Sequence, residues 1–562
     1  MRKQQKGRSL QTWVRSCLLL LILSPGASAA GKPSPGSSHD VMWMKGIMGK
    51  RRTVAPDKQS RLDMFTRRAK GQQQQEEEQE EHVRLRHLKK MIVLPESDIG
   101  LTDRRIWIIT TASLPWLTGT SINPLLRAAV LTHDRDDGAV TLVLPFLRKP
   151  DDQQKVFPKG VVFSSTEEQE QSVRDWLEGA GLGDESKRLR FAFYEGRYDK
   201  GFGSILPAED ITKLIPPEEA DVCILEEPEH LNWQRPPGQP WTSLFSHVIG
   251  IVHTNYLAYS AGYTVFAPLL TFFLRGLNKL VVRGYTDKVV KLSAVIQELA
   301  PEKEVVCNVH GVRTRFLEIG DQYARKEHDG GAYFIGKSLW AKGYKRLFDI
   351  MKHIKKHDES GLAQLQMDLY GSGPDRAAIE RQAKKLHLPV TFHDGTDHAN
   401  LDHFRVFVNP SVSEVLCTTI AEALAMAKWV VCARHPSNAF FYQFPNCLPF
   451  ETAEEFASNL AYALRHQPQP LSKELRHMLT WEAATDRLVA CSTITVAEFE
   501  SRRHRMDRMC ETGHRLATKK RKLPAIPRPL QVRTEQGERK RAADAHRKKA
   551  LHLTSDAHTI ST

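Results

Sequence analysis

From residue 105 to residue 432 the chain alternates short apolar runs with stretches of helical spacing. Arg105-Ile106-Trp107-Ile108-Ile109-Thr110-Thr111 is an apolar run that ends in small polar residues. A loop over 114–121 follows, and then Pro124-Leu125-Leu126-Arg127-Ala128-Ala129-Val130-Leu131 reads as a helix. The next strand is 140–144, so the chain opens as strand, loop, helix, strand, and runs at 191–194, 222–225, 248–252 and 288–292 extend the series. Such alternation predicts a parallel sheet with helices on both faces.

A second series starts at Ala332-Tyr333-Phe334-Ile335-Gly336. It continues as helix 343–355, strand 366–370, helix 375–386, strands 390–392 and 406–408, helix 418–427 and strand 429–432. The prediction is an α/β protein of two doubly wound, Rossmann-like domains, 103–315 and 330–475, with a helix over 476–500 packing back. Strand ends from both domains would then face one ligand in a central cleft.

The stretch richest in chemistry is 409–427. A strand ends at Asn409, a loop carries Glu414, and a helix starts near Thr418 with Glu422 one turn inside it. The backbone N–H groups of Leu416, Cys417 and Thr418 would point out of that helix start and offer a diphosphate site without a glycine-rich loop. Two Glu with seven residues between them at a strand-to-helix junction are the E-x7-E spacing of retaining two-Rossmann (GT-B) glycosyltransferases; solvated helix faces give the same spacing by chance. Lys337 and Lys342 follow the second series' first strand, where two point charges neutralise a diphosphate; solvated loop lysines are the competing reading. Gly371 and Gly373, in Gly371-Ser372-Gly373-Pro374, permit close backbone approach to a ligand, although alone they make only a turn. Asp134-Arg135-Asp136 has the D-x-D form but lies in a helix-to-strand turn, so it reads as turn chemistry and no metal site is assigned.

Several stretches resemble a known family: 110–120, Glu226-Glu227-Pro228-Glu229-His230-Leu231-Asn232-Trp233, Val252-His253-Thr254-Asn255-Tyr256, Cys307-Asn308-Val309-His310-Gly311-Val312, and 421–426 with His435-Pro436-Ser437-Asn438. In this order, over about residues 103–495, they are similar to the digalactosyldiacylglycerol synthases, retaining GT-B transferases. The resemblance implies transfer of α-galactose from UDP-galactose to the 6-hydroxyl of monogalactosyldiacylglycerol at the plastid envelope, with the outer membrane as the site. It implies no required cofactor, and no ligand motif calls for a divalent cation. By position, Glu414 would contact the donor sugar, Glu422 the uridine ribose, and Lys342 with Lys337 the diphosphate of departing UDP. Gly119 and Thr120 match a loop closing over the phosphates, and His253 the histidine beside the donor sugar, with a satisfied core histidine as its rival reading. Relatives often carry Gly at the position of Cys417, which makes this loop less permissive. Glu226, Glu227 and His230 are assigned to the acceptor side, with capping and surface roles equally open.

Charge changes the picture of partners. The chain of 562 residues has a net charge of +14, which invites a nucleic-acid reading. Residues 1–30 carry +5, 31–70 carry +7 and 501–562 carry +11, whereas 101–500 carry −6. The folded middle is thus mildly acidic, and nucleic acid is not expected as a partner. The basic lead, the apolar run 17–23 and the small residues Ala27 and Ala29 make 1–30 signal-like. Residues 31–102 are basic and transit-like, then Gln/Glu-rich, and 501–562 lack apolar periodicity and read as a disordered tail. The stretch 266–282 with Arg275, Lys279 and Arg283 at four-residue steps fits two readings: a helix lying on an anionic membrane surface, or a sheet-packed helix with a solvated basic face. Eight scattered Cys without metal-ligand spacing point to reduced thiols. Two rivals remain open: a GT-B lipid transferase for another sugar, sulfoquinovosyl or glucosyl, and an inactive membrane adaptor.

Overall fold

The computed structural model describes residues 96–199, 203–233, 237–257, 267–323, 330–357, 361–501 and 504–519. The signal-like segment, the transit-like and Gln/Glu-rich region up to residue 95, and the tail beyond 519 lie outside the described residues. The described residues up to 512 form one compact unit that holds both sheets. Those of a second unit, from Gly513, continue the last helix.

Eight strands make the first sheet: β1 (Ile106–Ile109), β2 (Val140–Leu147), β3 (Arg190–Asp199), β4 (Ser204–Pro207), β5 (Val222–Glu226), β6 (His247–Val252), β7 (Lys288–Lys291) and β8 (Glu304–Val306). Their order is β4-β3-β2-β1-β5-β6-β7-β8, and every pair is parallel except β3 with β4. β1 and β5 are buried along their whole length, as strands covered on both faces must be. The second sheet is β9 (Gly330–Ile335), β10 (Met367–Tyr370), β11 (Val390–His393), β12 (Phe404–Asn409), β13 (Trp429–Ala433) and β14 (Cys447–Phe450), all parallel in the order β11-β10-β9-β12-β13-β14. Alternate residues sort onto two buried faces. Ala332, Phe334, Val406 and Val408 enter one apolar cluster, and Tyr333 and Phe407 enter the other.

The helices that position the site are α1 (Gly119–Val130), α2 (Pro228–Asn232), α3 (Ala267–Tyr285), α4 (Tyr344–Lys356), α5 (Thr418–Ala425), α6 (Trp481–Ser492) and α7 (His504–Lys519). α1 begins five residues before the expected start at Pro124. Proline has no N–H to give the carbonyl of Thr120, and the Thr110 hydroxyl donates to that carbonyl instead, at 2.6 Å. α6 returns from the second half of the chain to the first: Trp481 and Ala484 pack with Leu126 and Val130 of α1, and Leu488 enters the first sheet's core.

Two surface expectations change. Residues 504–519, read as part of a disordered tail, form α7. Before residue 513 it is held by Asp507, which pairs with Arg283 and Lys303 at 3.0 Å each, and by Gly284, where a Cβ would fall 2.8 Å from the backbone N of Glu511. Arg283, read as the third member of a basic stripe, is buried between Glu302 and Asp507. The stripe shortens to Arg275 and Lys279, both exposed, beside Phe272 at 68% exposure. The opposite face, with Leu274, Val281, Val282 and Tyr285, is buried in the first core. Among the described residues no helix is long and apolar enough to cross a membrane.

Candidate active site

The second-sheet half of the site is built where β9 and β12 end. β12 runs out at Asn409, whose carboxamide accepts from Ser411 N at 2.9 Å and donates to the Cys417 thiol at 3.0 Å. One side chain thereby pins both ends of the loop that carries Glu414. The loop after β9 lies against it: Ser413 Oγ donates to the Ala341 carbonyl at 2.6 Å. Gly343, at φ 92°, has no room for a Cβ, which would meet Pro410 at 2.8 Å. This packing brings Lys342 Nζ to 2.6 Å from Glu414 Oε1. Val415 is buried in the first sheet's core and Leu416 packs against the clusters of both sheets, so the Glu414 loop stands at the junction of the two halves.

Lys337, exposed, stands near Lys342. Partial desolvation first, and then the charge of Lys342, lower its ammonium pKa, so the two cations are close enough to repel each other. α5 starts at Thr418 with Cys417 as its N-cap at φ −89°, an ordinary conformation that does not need glycine. The Cys417 thiol is pushed up to about 12 by burial and then by Glu414, so it is a neutral packing group. The first turn of α5 leaves the N–H groups of its opening residues without helical partners, as any helix start does. Glu422 is not loose on that helix. His398 Nδ1 lies 2.7 Å from its Oε2, and Tyr333 OH lies 2.6 Å from His398 Nε2. Burial, then Glu422 and Tyr370, hold the Tyr333 phenol well above its usual value, so it stays a donor to the ring.

Gly371 and Gly373 have a reason within the fold. Gly371 sits at φ 146°, and a Cβ there would fall 1.9 Å from the Gly336 carbonyl oxygen; one on Gly373 would fall 2.6 Å from that of Ser338. They seat the turn after β10 against the loop after β9. Gly119 differs: a Cβ there would meet only Asn123 Nδ2, at 3.4 Å. It opens α1 together with Thr120, whose hydroxyl lies 3.1 Å from that of Thr118.

The first-sheet half gathers at the C-terminal ends of β1, β5 and β6. Glu226, fully buried, accepts from Arg127 Nε at 2.8 Å through Oε1 and pairs with His253 Nε2 through Oε2. Burial alone would push its carboxyl up; the Arg127 and His253 charges outweigh this and bring it down to about 2. Glu227 occupies the left-handed region at φ 65°, a strained setting for a non-glycine residue. Its carboxylate accepts from Thr111 Oγ1 at 2.9 Å, Tyr256 OH at 2.9 Å and Thr254 Oγ1. His230 is buried behind it, Nδ1 at 3.0 Å from Tyr256 OH and Nε2 at 2.9 Å from the Ile205 carbonyl, with its ring stacked on Trp233. His310, 5.1 Å from the His253 ring between centroids, completes the group. Asp134 lies at φ 57°, and Arg135 donates to the carbonyls of Leu101, Arg104 and Ile99; this is turn chemistry, as the spacing suggested.

The sequence did not single out Arg127, His398 or Tyr333. Arg127 had a signal, since one charge amid Leu, Ala and Val on a helix must find a buried partner. His398 and Tyr333 had none, because only the packed sheet brings them beside Glu422.

Two doubly wound α/β sheets, parallel but for β3 with β4, with functional side chains at their strand ends, are the architecture of the GT-B glycosyltransferases. The family described as "Glycosyl transferases group 1" matches residues 331–466, the second-sheet region. Digalactosyldiacylglycerol synthase 2, chloroplastic, of Arabidopsis thaliana is 48% identical over 402 residues, 70% of this chain and 82% of that protein. Digalactosyldiacylglycerol synthase 1, chloroplastic, of Lotus japonicus is 46% identical over 405 residues, 71% of this chain and 50% of that protein. The chain belongs to the digalactosyldiacylglycerol synthase family. It spans about half the length of its synthase 1 relatives. Among solved structures, sucrose-phosphate synthase from Thermosynechococcus elongatus is similar at a TM-score of 0.41 and 15% identity, covering 68% of this chain and 97% of that one; so loose a likeness adds nothing to the fold described above.

Proposed function

We propose that the chain transfers galactose from UDP-galactose to the 6-hydroxyl of monogalactosyldiacylglycerol, with retention at the anomeric carbon. The observation that carries this reading is the Lys342–Glu414 contact just ahead of α5, with the ammonium of Lys337 near that of Lys342. A nucleoside diphosphate is the ligand that two neighbouring lysines beside a helix start suit. Lys337, Lys342 and the N–H groups of Leu416, Cys417 and Thr418 hold it, and the lysines stabilise the charge that develops as UDP leaves. Glu414 contacts the donor sugar and Glu422, oriented by His398, binds the ribose hydroxyls. Gly119 and Thr120 close over the phosphates from the start of α1, and His253 stands beside the donor sugar. Glu227 stands on the acceptor side of the first sheet, and buried His230 supports it. No step calls for a metal or cofactor.

The acceptor is a membrane lipid, and Phe272 with Arg275 and Lys279 offers α3's outer face to an anionic leaflet. Relatives named chloroplastic support a place at the plastid envelope, with the outer membrane as the surface served. A screen of UDP-sugars and diacylglycerol glycolipids with linkage analysis of the product tests the reading. An α-galactosyl product from UDP-galactose, lost in Glu414→Ala and Glu422→Ala, supports it. A β-linked, glucosyl or sulfoquinovosyl product, absence of UDP release, or unchanged turnover in both variants overturns it.

A further inference from the structure

Three side chains from three elements form one buried chain of contacts at the end of β5. Arg127 comes from α1, Glu226 ends β5 and His253 follows β6; their side chains are 0%, 0% and 5% exposed. Arg127 spends Nη1 on the Val309 carbonyl at 2.8 Å and Nε on Glu226 Oε1 at 2.8 Å. The other carboxylate oxygen faces His253 Nε2. An ionised carboxylate only accepts, so the hydrogen in that contact belongs to His253. Nε2 is therefore committed to Glu226, and Nδ1 is the one ring nitrogen left for a ligand. Arg127 supplies a fixed counter-charge that keeps Glu226 ionised in a dry interior, where an unpaired carboxylate would take up a proton.

We infer that Glu226 is a positioning residue for the transfer reaction: by accepting Nε2–H it fixes the ring orientation in which His253 meets the donor sugar, with Arg127 as its counter-charge. This rests on the reading of His253 given above. It reassigns Glu226 from framing the acceptor to orienting a donor-side group. The plain alternative is that Glu226 serves only to neutralise Arg127.

The single variants Glu226→Gln and Arg127→Met each leave a buried charge unbalanced and threaten folding. The double variant Arg127→Met/Glu226→Met removes both charges and the acceptor for His253 while nearly keeping the shapes, so it carries the test, in the full chain with UDP release measured on monogalactosyldiacylglycerol. We expect it to unfold near the wild-type temperature, keep its KM for UDP-galactose, and lose about 10- to 100-fold in kcat, the size typical of losing the residue that orients a functional histidine. Adding His253→Ala to it is expected to cost nothing beyond His253→Ala alone, because both changes remove one unit. Wild-type kcat in a folded double variant, or fully additive losses in the triple variant, overturns the inference while leaving His253 in place. Wild-type kcat in His253→Ala alone overturns both the inference and the reading beneath it.

Discussion

Lys342 Nζ lies 2.6 Å from Glu414 Oε1, with both side chains about four-fifths buried. The cation and the carboxylate proposed to act on opposite sides of the breaking bond are thus already in contact, and on the proposed reading an incoming diphosphate would share Lys342 with Glu414. Lys337, whose pKa falls through partial desolvation and through Lys342, is the second cation that makes this sharing favourable.

It follows that Lys342→Ala removes stabilisation present mainly as UDP departs. The expected loss is about 10²- to 10³-fold in kcat, the size found when one donor to a developing anion is deleted. Lys337→Ala is expected to act mostly on the donor KM. Steady-state UDP release separates the two. A Lys342→Ala enzyme with normal kcat and only a raised KM would place Lys342 in ground-state binding instead.

Glu422 owes its orientation to His398, and His398 to Tyr333, through contacts of 2.7 and 2.6 Å. Tyr333→Phe frees the ring to turn, and His398→Phe deletes the donor. Each is expected to raise the KM for UDP-galactose about 5- to 10-fold, one hydrogen bond's worth, with kcat nearly unchanged. Inhibition by UDP alone should weaken in parallel; an unchanged inhibition constant would show that Glu422 is not held by this relay.

The glycines divide into two kinds, and the division is measurable. Gly371→Ala drives a Cβ to 1.9 Å from the Gly336 carbonyl at a φ of 146°, so a stability loss of about 2 kcal/mol or more is expected in urea unfolding. Gly119→Ala meets only Asn123 Nδ2 at 3.4 Å and gains helix propensity. It is expected to fold at least as well as the wild type while binding the donor less well. Wild-type donor affinity in Gly119→Ala would remove that residue from the phosphate site.

Glu226 sets an acid limit. Its folded pKa of about 2 lies below the ordinary carboxylate value of 4.5. The stabilisation is therefore complete above pH 4.5 and is lost as pH falls toward 2, with a ceiling on the order of 3 kcal/mol. Arg127→Met/Glu226→Met has no carboxylate to titrate here and buries no charge, so it lacks this pH dependence while keeping a similar stability at neutral pH. Urea midpoints followed from pH 5 to pH 2.5 should fall more steeply for the wild type than for the double variant; parallel curves would show that the pair titrates with the bulk of the carboxylates.

Much of the fold was legible because parallel strands buried on both faces must be apolar throughout. Ile106-Trp107-Ile108-Ile109 and Trp429-Val430-Val431-Cys432 announce themselves by composition alone. β4, β8 and β14, of four, three and four residues, were not legible, because short edge strands broken by Ser, Glu or Pro leave little apolar pattern, whereas the edge strand β11 keeps Val390 and Phe392. In the candidate site, local order placed Glu414, Glu422, Lys337 and Lys342 near the ends of β9 and β12. What was hidden is convergence: Arg127, Glu226 and His253 meet only because folding lays α1 against the C-terminal ends of β5 and β6. The α7 helix escaped notice for a similar reason. Its charged residues look solvated until Asp507 is found between Arg283 and Lys303.

That same contact decides how the membrane surface is to be tested. A stripe of Arg275, Lys279 and Arg283 would let any of the three be neutralised with equal effect, but Arg283 is buried against Glu302 and Asp507 and is unavailable to lipid. Only Arg275 and Lys279, beside exposed Phe272, face outward. Each basic residue near an anionic leaflet contributes about 1 kcal/mol, so Arg275→Ala/Lys279→Ala is expected to lower partitioning onto phosphatidylglycerol-containing vesicles by roughly 30-fold, and the difference should shrink as salt rises. Phe272→Ser should weaken binding to neutral and anionic vesicles alike, since it acts through apolar burial. Arg283→Ala should instead lower the unfolding temperature, because it leaves Glu302 and Asp507 short of a partner. Undiminished vesicle binding in Arg275→Ala/Lys279→Ala would move the lipid-facing surface off α3.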